Sequence, residues 1–348
     1  MPNRLRVQNN DIPEKMNMET NRNVTVDVMG IGDAMVDLLT HAATLPPRGG
    51  NIWSSAVSLS PGGTTANVAA NAATLGIRSG FIGCVGDDPY GQYTIQEFQK
   101  AGVDTTGVIV RPGDFTGIVL AIIDDTGERT FIACARGASH TDLQKTDIDR
   151  IKPLLPAVIH TSGVCLVEEP SRSALLYALE FAHDRGHLIY YDPNLRLEGD
   201  YFPPELRAAQ LKAIACSDVV LIGDEEMRLL FPHMSFSEGV EHMFETGVRL
   251  VVLKQGEQGA SVFSDDFDEH CPAFKVPVLS TAGAGDSFDA GFIAARCRGA
   301  DLHDALVYAC AVGALKVTRQ GARAVPNHAE TMAFLKERDI HLPSLLGE

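Results

Sequence analysis

The chain has 348 residues, 45% hydrophobic and 21% charged, a globular composition with length for one large α/β domain or two ordinary ones. Its formal net charge of −16, from 29 basic and 45 acidic residues, argues against a nucleic-acid partner, whose phosphates such a field repels. A single bound nucleotide remains compatible, because local backbone dipoles and a divalent cation offset a global charge. No apolar run reaches the roughly 18 residues of a membrane span, so no membrane partner is expected.

Residues 1–23 are polar and carry no apolar stretch like that of a signal peptide; they are expected to form a disordered tail ahead of a domain over 24–348. Segment 24–31 looks like a first buried strand. Strand-like runs recur at 80–85, 158–161, 188–191, 219–222 and 250–253, with helical patterns at 65–75, 171–185 and 204–215. Strands alternating with helices imply parallel βαβ units covered on both faces. A second texture interrupts the first: 51–59 alternates like a half-exposed strand, and 116–123 and 129–133 flank the turn Asp124-Asp125-Thr126-Gly127, as in a hairpin. These pieces, near 38–60 and 108–135, are expected to form a small β lid on an α/β core. The seven cysteines (Cys84, Cys134, Cys165, Cys216, Cys271, Cys297, Cys310) never fall as CxxC. They are expected to be buried, reduced thiols in a cytoplasmic protein.

The most informative stretch is Ser280-Thr281-Ala282-Gly283-Ala284-Gly285-Asp286-Ser287-Phe288. It follows an extended 276–279 and opens a helix. Small residues allow close backbone approach, and the free N–H groups at the helix start favour an anion, typically phosphate. Asp286 at that spot reads either as a plain helix cap or as a carboxylate placed to take a proton from a nucleophile attacking the phosphate.

This segment resembles the signature of the PfkB (ribokinase-like) carbohydrate kinases, usually DTTGAGD followed by an aromatic, and the similarity extends over most of 24–326. Gly30-Ile31-Gly32-Asp33 with Asp37 is similar to the family's first strand and its substrate-binding Asp. Pro61-Gly62-Gly63 and Asn67 resemble the Gly-Gly and Asn that hold the sugar. Gly83-Cys84-Val85-Gly86, then Asp88 and Gly91, matches a GxVGxDxxG element, and Asp192-Pro193-Asn194-Leu195-Arg196 a DPNxR element near the phosphates. Lys254-Gln255-Gly256-Glu257-Gln258-Gly259 resembles the turn before the nucleotide loop, and Gly321-Ala322-Arg323-Ala324-Val325-Pro326 the closing loop near the adenine. Taken singly, these pieces stay open to blander readings. Gly62-Gly63 reads equally as a turn with Asn67 as a cap, Asp192 and Arg196 as a surface ion pair, and Gly30-Ile31-Gly32 completes no GxGxxG because Met35 stands last. His160 reads as a satisfied core residue. Trp53 and Phe115 either pack the lid or touch substrate.

The resemblance implies a ribokinase-like three-layer α/β sandwich with a mostly parallel central sheet and a β lid. It implies a cytoplasmic kinase using ATP and Mg²⁺, which transfers the γ-phosphoryl group to a primary hydroxyl of a small sugar or sugar acid, and a homodimer joined through the lid. A nucleoside kinase of the same fold is the alternative. In the implied mechanism Asp286 is the base, and the backbone of Gly283, Ala284 and Gly285 stabilises the transferred group. Asp33, Gly62, Gly63 and Asn67 bind the sugar. Asn194, Arg196, Glu226, Lys254, Gly256, Gly259 and Cys310 line the nucleotide, with Glu226 also serving Mg²⁺. Three departures stand out. Gly223 replaces the Asn of an NxxE element ending at Glu226, Ala309-Cys310-Ala311 lacks an Asn near the adenine, and Ser280 stands where the family usually has the Asp of a monovalent-cation site.

Overall fold

The computed structural model describes residues 26–54, 56–125, 129–197, 199 and 201–345. The tail expected at 1–23 lies outside the described residues, as do Thr126 and Gly127 of the hairpin turn. The first strand, β1 (Val28–Ile31), is buried at every position, as a central parallel strand requires. After it come β2 (Met35–His41), β3 (Val57–Gly62), α1 (Thr64–Thr74), β4 (Ser79–Gly86), α2 (Pro89–Ala101) and β5 (Asp104–Arg111). Next are β6 (Gly117–Ile123), β7 (Arg129–Cys134), α3 (Lys145–Ile151), β8 (Val158–Ser162), α4 (Ser171–Asp184), β9 (Leu188–Asp192) and α5 (Pro204–Ala215). Then follow β10 (Val219–Gly223), α6 (Asp224–Leu230), α7 (Phe236–Glu245), β11 (Leu250–Lys254), β12 (Ala260–Phe263) and β13 (Asp268–Cys271). The chain continues with α8 (Ala284–Cys297), α9 (Leu302–Val317) and α10 (His328–Lys336).

Nine strands form one sheet in the order β13-β12-β11-β10-β9-β8-β1-β4-β5. Every pairing from β11 to β5 is parallel, and only β12 and β13 are antiparallel, at one edge. Alternation along each strand builds the layers. Val219 and Leu221 face a core shared with α1, α8, α9 and α10, whereas Val220 and Ile222 face one shared with α3, α4, α5, α6 and α7. The helices match this demand: α4 buries Ala174, Leu175, Ala178, Leu179 and Ala182, a single helical stripe. The three-layer α/β architecture is therefore the expected one.

A separate four-stranded sheet, ordered β3-β2-β6-β7, stands beside the core. Its composition corrects the sequence reading in two places. β5 pairs in parallel with β4 as the edge of the large sheet, so the stretch near 108 is not part of the small one. As an edge strand it is only partly buried, which gives it the alternation of a lid strand. The alternating stretch at 51–59 yields a strand only from Val57, and 51–54 is exposed and irregular. The segment 276–279 belongs to no strand. Its end is fixed instead by Leu279 and Ser280 donating backbone N–H bonds to Val317 O at 2.8 and 3.1 Å.

Asp88 joins the two sheets. Its Oδ1 caps α2 by accepting from Gly91 N at 2.7 Å, and its Oδ2 accepts from Thr116 N at 2.7 Å just before β6. Asp88→Ala removes a helix cap and strands the buried Thr116, so it should lower unfolding free energy by about 2–4 kcal/mol in urea titrations. A loss below about 0.5 kcal/mol would show that water replaces the carboxylate.

Candidate active site

Two helices start on glycines at the carboxyl ends of the parallel strands, the edge where open α/β sheets bind ligands. The residue before α1 is Gly63, at φ +92°, and a side chain there would strike the Asp33 backbone. The residue before α8 is Gly283, at φ +73°, and a side chain there would meet Ala322 Cα at 2.7 Å. Both positions need the left-handed backbone that glycine tolerates. The two helix ends are then treated differently. Asp33, just past β1, accepts Thr64 N at 2.7 Å and Thr65 N at 3.1 Å, so its carboxylate fills the end of α1. No side chain caps α8. Ala284 N donates to Thr281 O at 3.1 Å, which leaves Gly285 and Asp286 as the amides that an anion can engage.

Asp286, in the first turn of α8, is buried, and its Oδ2 accepts from Asn67 Nδ2 of α1 at 2.7 Å. Burial, only partly offset by the Asn67 bond and by the cations Lys254 and Arg196, lifts its carboxyl to about 6, with Asp192 adding to the rise. Beneath the loop, Lys254 Nζ pairs with Asp192 at 2.9 Å and with Asp289 at 3.2 Å. Burial works against this ammonium, but Asp192, Asp289 and Glu226 outweigh it and hold Lys254 above its ordinary value. Of the two carboxyls, Asp289 is held well up by burial and by Asp192, whereas Lys254 keeps Asp192 low despite its own burial. The two carboxyls are thus pushed in opposite directions around the one ammonium.

The structure redistributes several of the expected roles. Asp33 is fully buried, and besides the two α1 amides it accepts Ser162 Oγ at 3.1 Å, so its geometry is that of a helix cap and not of a sugar ligand. Asp37, in β2, abuts Gly62 so closely that a side chain there would meet Asp37 Oδ1 at 2.7 Å. Burial raises Asp37 to about 6 as well, with Arg323 pulling down and Asp33 pushing up. Both oxygens of Glu226 accept backbone amides, from Leu195 at 2.9 Å and Gly223 at 2.8 Å. That bond pair ties the 193–197 loop, which carries Asn194 (φ +37°) and the exposed Arg196, to the start of α6. No group of three His, Cys, Asp or Glu side chains suited to a metal exists among the described residues. The donor set fits a magnesium ion that arrives with phosphates and water, with Glu226 behind it, not a protein cage.

Gly256, Gly259 and Cys310 form a second group away from Asp286. Gly256 is exposed, with open space where a side chain would start. A side chain on Gly259 would collide with Cys271 O, the carbonyl that also lies 4.0 Å from the buried Cys310 Sγ. His160 is buried, as expected, but neither ring nitrogen has a partner, and burial holds it neutral by lowering it to about 4. Trp53 is 91% exposed and Phe115 44%, so neither packs within the small sheet. The sequence reading gave no role of its own to Arg323, which the structure puts beside Asn67: its Nε donates to Asn67 Oδ1 at 2.9 Å.

The comparisons agree with this geometry. The pattern described as pfkB family carbohydrate kinase matches residues 25–329. The chain belongs to that family. It is 32% identical over 311 residues to a fructokinase of Vibrio alginolyticus, covering 87% of this chain and 97% of that one. A ribokinase II structure from E. coli in complex with ATP and Mg²⁺ superposes with a TM-score of 0.79 at 29% identity, over 90% and 99% of the two chains. A fructokinase double mutant from Vibrio cholerae O395 with fructose, ADP and potassium bound gives a TM-score of 0.76 at 31% identity, over 90% and 99%. The protein is therefore an ATP-dependent carbohydrate kinase with a ribokinase-like fold.

In this kinase the Lys254 ammonium is what makes two buried carboxyls tolerable. Lys254→Met should cost about 3–5 kcal/mol in chemical denaturation. Adding Asp192→Asn should recover part of that loss, because it removes the charge left unpaired. No recovery in the double variant would show that packing of the lysine stem, not its charge, carries the effect.

Proposed function

We propose that this kinase transfers the γ-phosphoryl group of ATP to a primary hydroxyl of a small sugar or sugar acid, with Asp286 as the general base. The observation that carries the reading is a buried carboxyl, raised to about 6, in the first turn of a helix whose N-terminus is left open. An anion at Gly285 and Asp286 N–H would lie beside the carboxylate that deprotonates its attacker. The acceptor would sit between the core and the small sheet acting as a lid, where Asp37, Asn67 and the Gly62-Gly63 turn offer hydroxyl partners. These polar groups suit a polyol better than the flat base of a nucleoside.

In the reaction the acceptor O–H would give its proton to Asp286 as the oxygen bonds to the γ-phosphorus and the bridging oxygen leaves with ADP. Gly285 and Asp286 N–H would take the charge on the transferred group, with Arg196 approaching from the 193–197 loop. Magnesium, when bound with the nucleotide, would neutralise phosphate charge. The Gly259, Cys271 and Cys310 group would receive the adenine end. The closed lid would keep water from the phosphate.

Two further readings belong to the same proposal. One face of the small sheet exposes Val57, Leu59 and Ile132, an apolar surface that a second copy of this chain would cover. All seven cysteines are unpaired, and no helix among the described residues is long and apolar enough to cross a membrane. The reduced thiols and the use of ATP favour the cytoplasm.

An ADP-release screen over ketoses, pentoses, sugar acids and nucleosides tests the acceptor class, and preference for a nucleoside would overturn it. On the acceptor so found, Asp286→Asn should retain folding and ATP binding while kcat falls on the order of 10²- to 10⁴-fold. Because the base must be ionised, the acidic limb of kcat/KM in the wild type should lie near the value of about 6 held by the empty site. Near-normal turnover by the variant would remove Asp286 from the chemistry.

Potassium gives a second test. Ser280 supplies no carboxylate for a monovalent cation, and the fully buried Lys316 donates its Nζ to Ser280 O at 2.9 Å. A fixed ammonium thus already holds the strand of chain leading into the anion loop. Turnover should change less than about threefold when K⁺ is replaced by a bulky organic cation at equal ionic strength. Strong activation by K⁺ would show that backbone carbonyls alone build a cation site.

A further inference from the structure

Arg323 lies in the loop after α9, and the reaction as described does not use it. Its Nε donates to Asn67 Oδ1 at 2.9 Å, and its Nη2 donates to Gly62 O at 3.1 Å, at the end of β3. The guanidinium lies 5.1 Å from the ring centroid of the fully buried Phe98. Three elements that are distant in sequence thus meet on one planar group: the root of the small sheet, the first turns of α1, and the loop beside α8. Asn67 then passes the contact on, donating from Nδ2 to Asp286 Oδ2 at 2.7 Å.

The chemistry of the partners fixes the amide. A guanidinium only donates, so the Asn67 atom facing it must be the carbonyl oxygen. The NH₂ group is then the atom that faces Asp286. With the opposite orientation, two donors would confront each other at Arg323 and an oxygen would confront a carboxylate at Asp286. Oδ2 of Asp286 is therefore occupied by a donor that cannot turn away, and Oδ1 is the oxygen left for a hydroxyl proton.

We propose that Arg323 is a positioning residue for the kinase reaction: it locks the Asn67 amide so that Asp286 presents a single, defined oxygen to the acceptor hydroxyl. The proposal rests on the reading of Asp286 as the base. The titratable groups facing Asp286 are Asp192 at the end of β9, Asp289 one turn along α8, Lys254 of β11, Arg196 of the 193–197 loop and Arg323 itself. Burial lowers Arg323 to about 10, while Glu97, Tyr93, Asp37 and Asp286 push the other way, so it stays charged wherever the base is active. Its positive charge favours the ionised form of Asp286. Removing it must move the carboxyl upward.

The test combines kinetics on the acceptor found in the screen with a crystal structure that needs no acceptor. Arg323→Gln should lower kcat ~10- to 100-fold, leave the KM for ATP within about twofold, and move the acidic limb of kcat to higher pH. In an Asn67→Ala background the same substitution should cost less than about twofold, because the residue it acts through is gone. Arg323→Lys keeps the charge without the fork, so it should lose turnover and keep the limb; it also serves if the Gln variant does not fold. In crystals of either variant the Asn67 amide should no longer donate to Asp286 Oδ2. Equal costs in the two backgrounds, an unmoved limb in Arg323→Gln, or an Asn67 bond that persists in the crystal would each overturn the positioning role. Near-normal turnover by Asp286→Asn overturns the base assignment instead, and the two failures are told apart by that variant.

Discussion

The open N-terminus of α8 is the constraint around which the molecule is arranged. A helix end with unsatisfied amides normally attracts a side-chain cap, and this chain makes such caps elsewhere: Asp88 on α2, Ser235 on α7, Asp301 on α9 and Asn327 on α10. At α1 the cap even comes from another strand, through Asp33. Leaving α8 uncapped at the same edge of the sheet keeps a site for an anion at some expense in stability. The neighbours hold that end in place without filling it. Gly283 packs on Ala322, Lys316 holds Ser280 O, and Ser287 Oγ donates back to Gly283 O at 2.6 Å.

A phosphate site in a chain of net charge −16 requires local cations, and the partly buried ones, Lys254 and Arg323, are held by fixed partners. Lys254 pairs with Asp192 and Asp289, and burial and Asp192 push the Asp289 carboxyl up. Arg323 faces Asp37 and Asp286. These groups are fixed in place, in contrast to the exposed Arg196. Preorganisation of this kind is what lets fixed dipoles act on a developing charge without reorganisation. The carboxyls of Asp37 and Asp286 are both lifted to about 6 for the same leading reason, burial. Both therefore change charge in the range where a kinase base has to be poised.

Much of this was legible in the sequence, and the parts that were not share a cause. The six apolar runs became β1, β4, β8, β9, β10 and β11, because strands buried on both faces leave continuous hydrophobic stretches. The Gly283-Ala284-Gly285-Asp286 run pointed to an anion at a helix start but left Asp286 open between cap and base until the resemblance was added. What stayed hidden depended on tertiary pairing. β5 and the lid strands have the same half-exposed alternation, and only their partners separate them. Asp33 and Asp37 are equally plausible ligands on a line of letters. The amides of Thr64 and Thr65, which come to Asp33 from beyond a whole strand pair, decide between them. The sequence assigned Glu226 to metal by its motif alone and could not show that its oxygens also accept the amides of Leu195 and Gly223.

The same limit explains Arg323. An arginine in a closing loop near the end of the chain gives no periodic or spacing signal, and its partners lie 256 and 261 residues away. Its importance follows from hydrogen-bond arithmetic. Asn67 has one carbonyl and one NH₂ group, Asp286 only accepts when ionised, and Arg323 only donates. Given the three positions, one assignment satisfies all of them, and it leaves a single oxygen of Asp286 uncommitted. Because the guanidinium also holds Gly62 O at the root of the small sheet, a shift of that sheet and the orientation of the base share one hydrogen-bonded link. On the reading of Asp286 as the base, the small sheet and the carboxylate that takes the proton are joined through the same side chain.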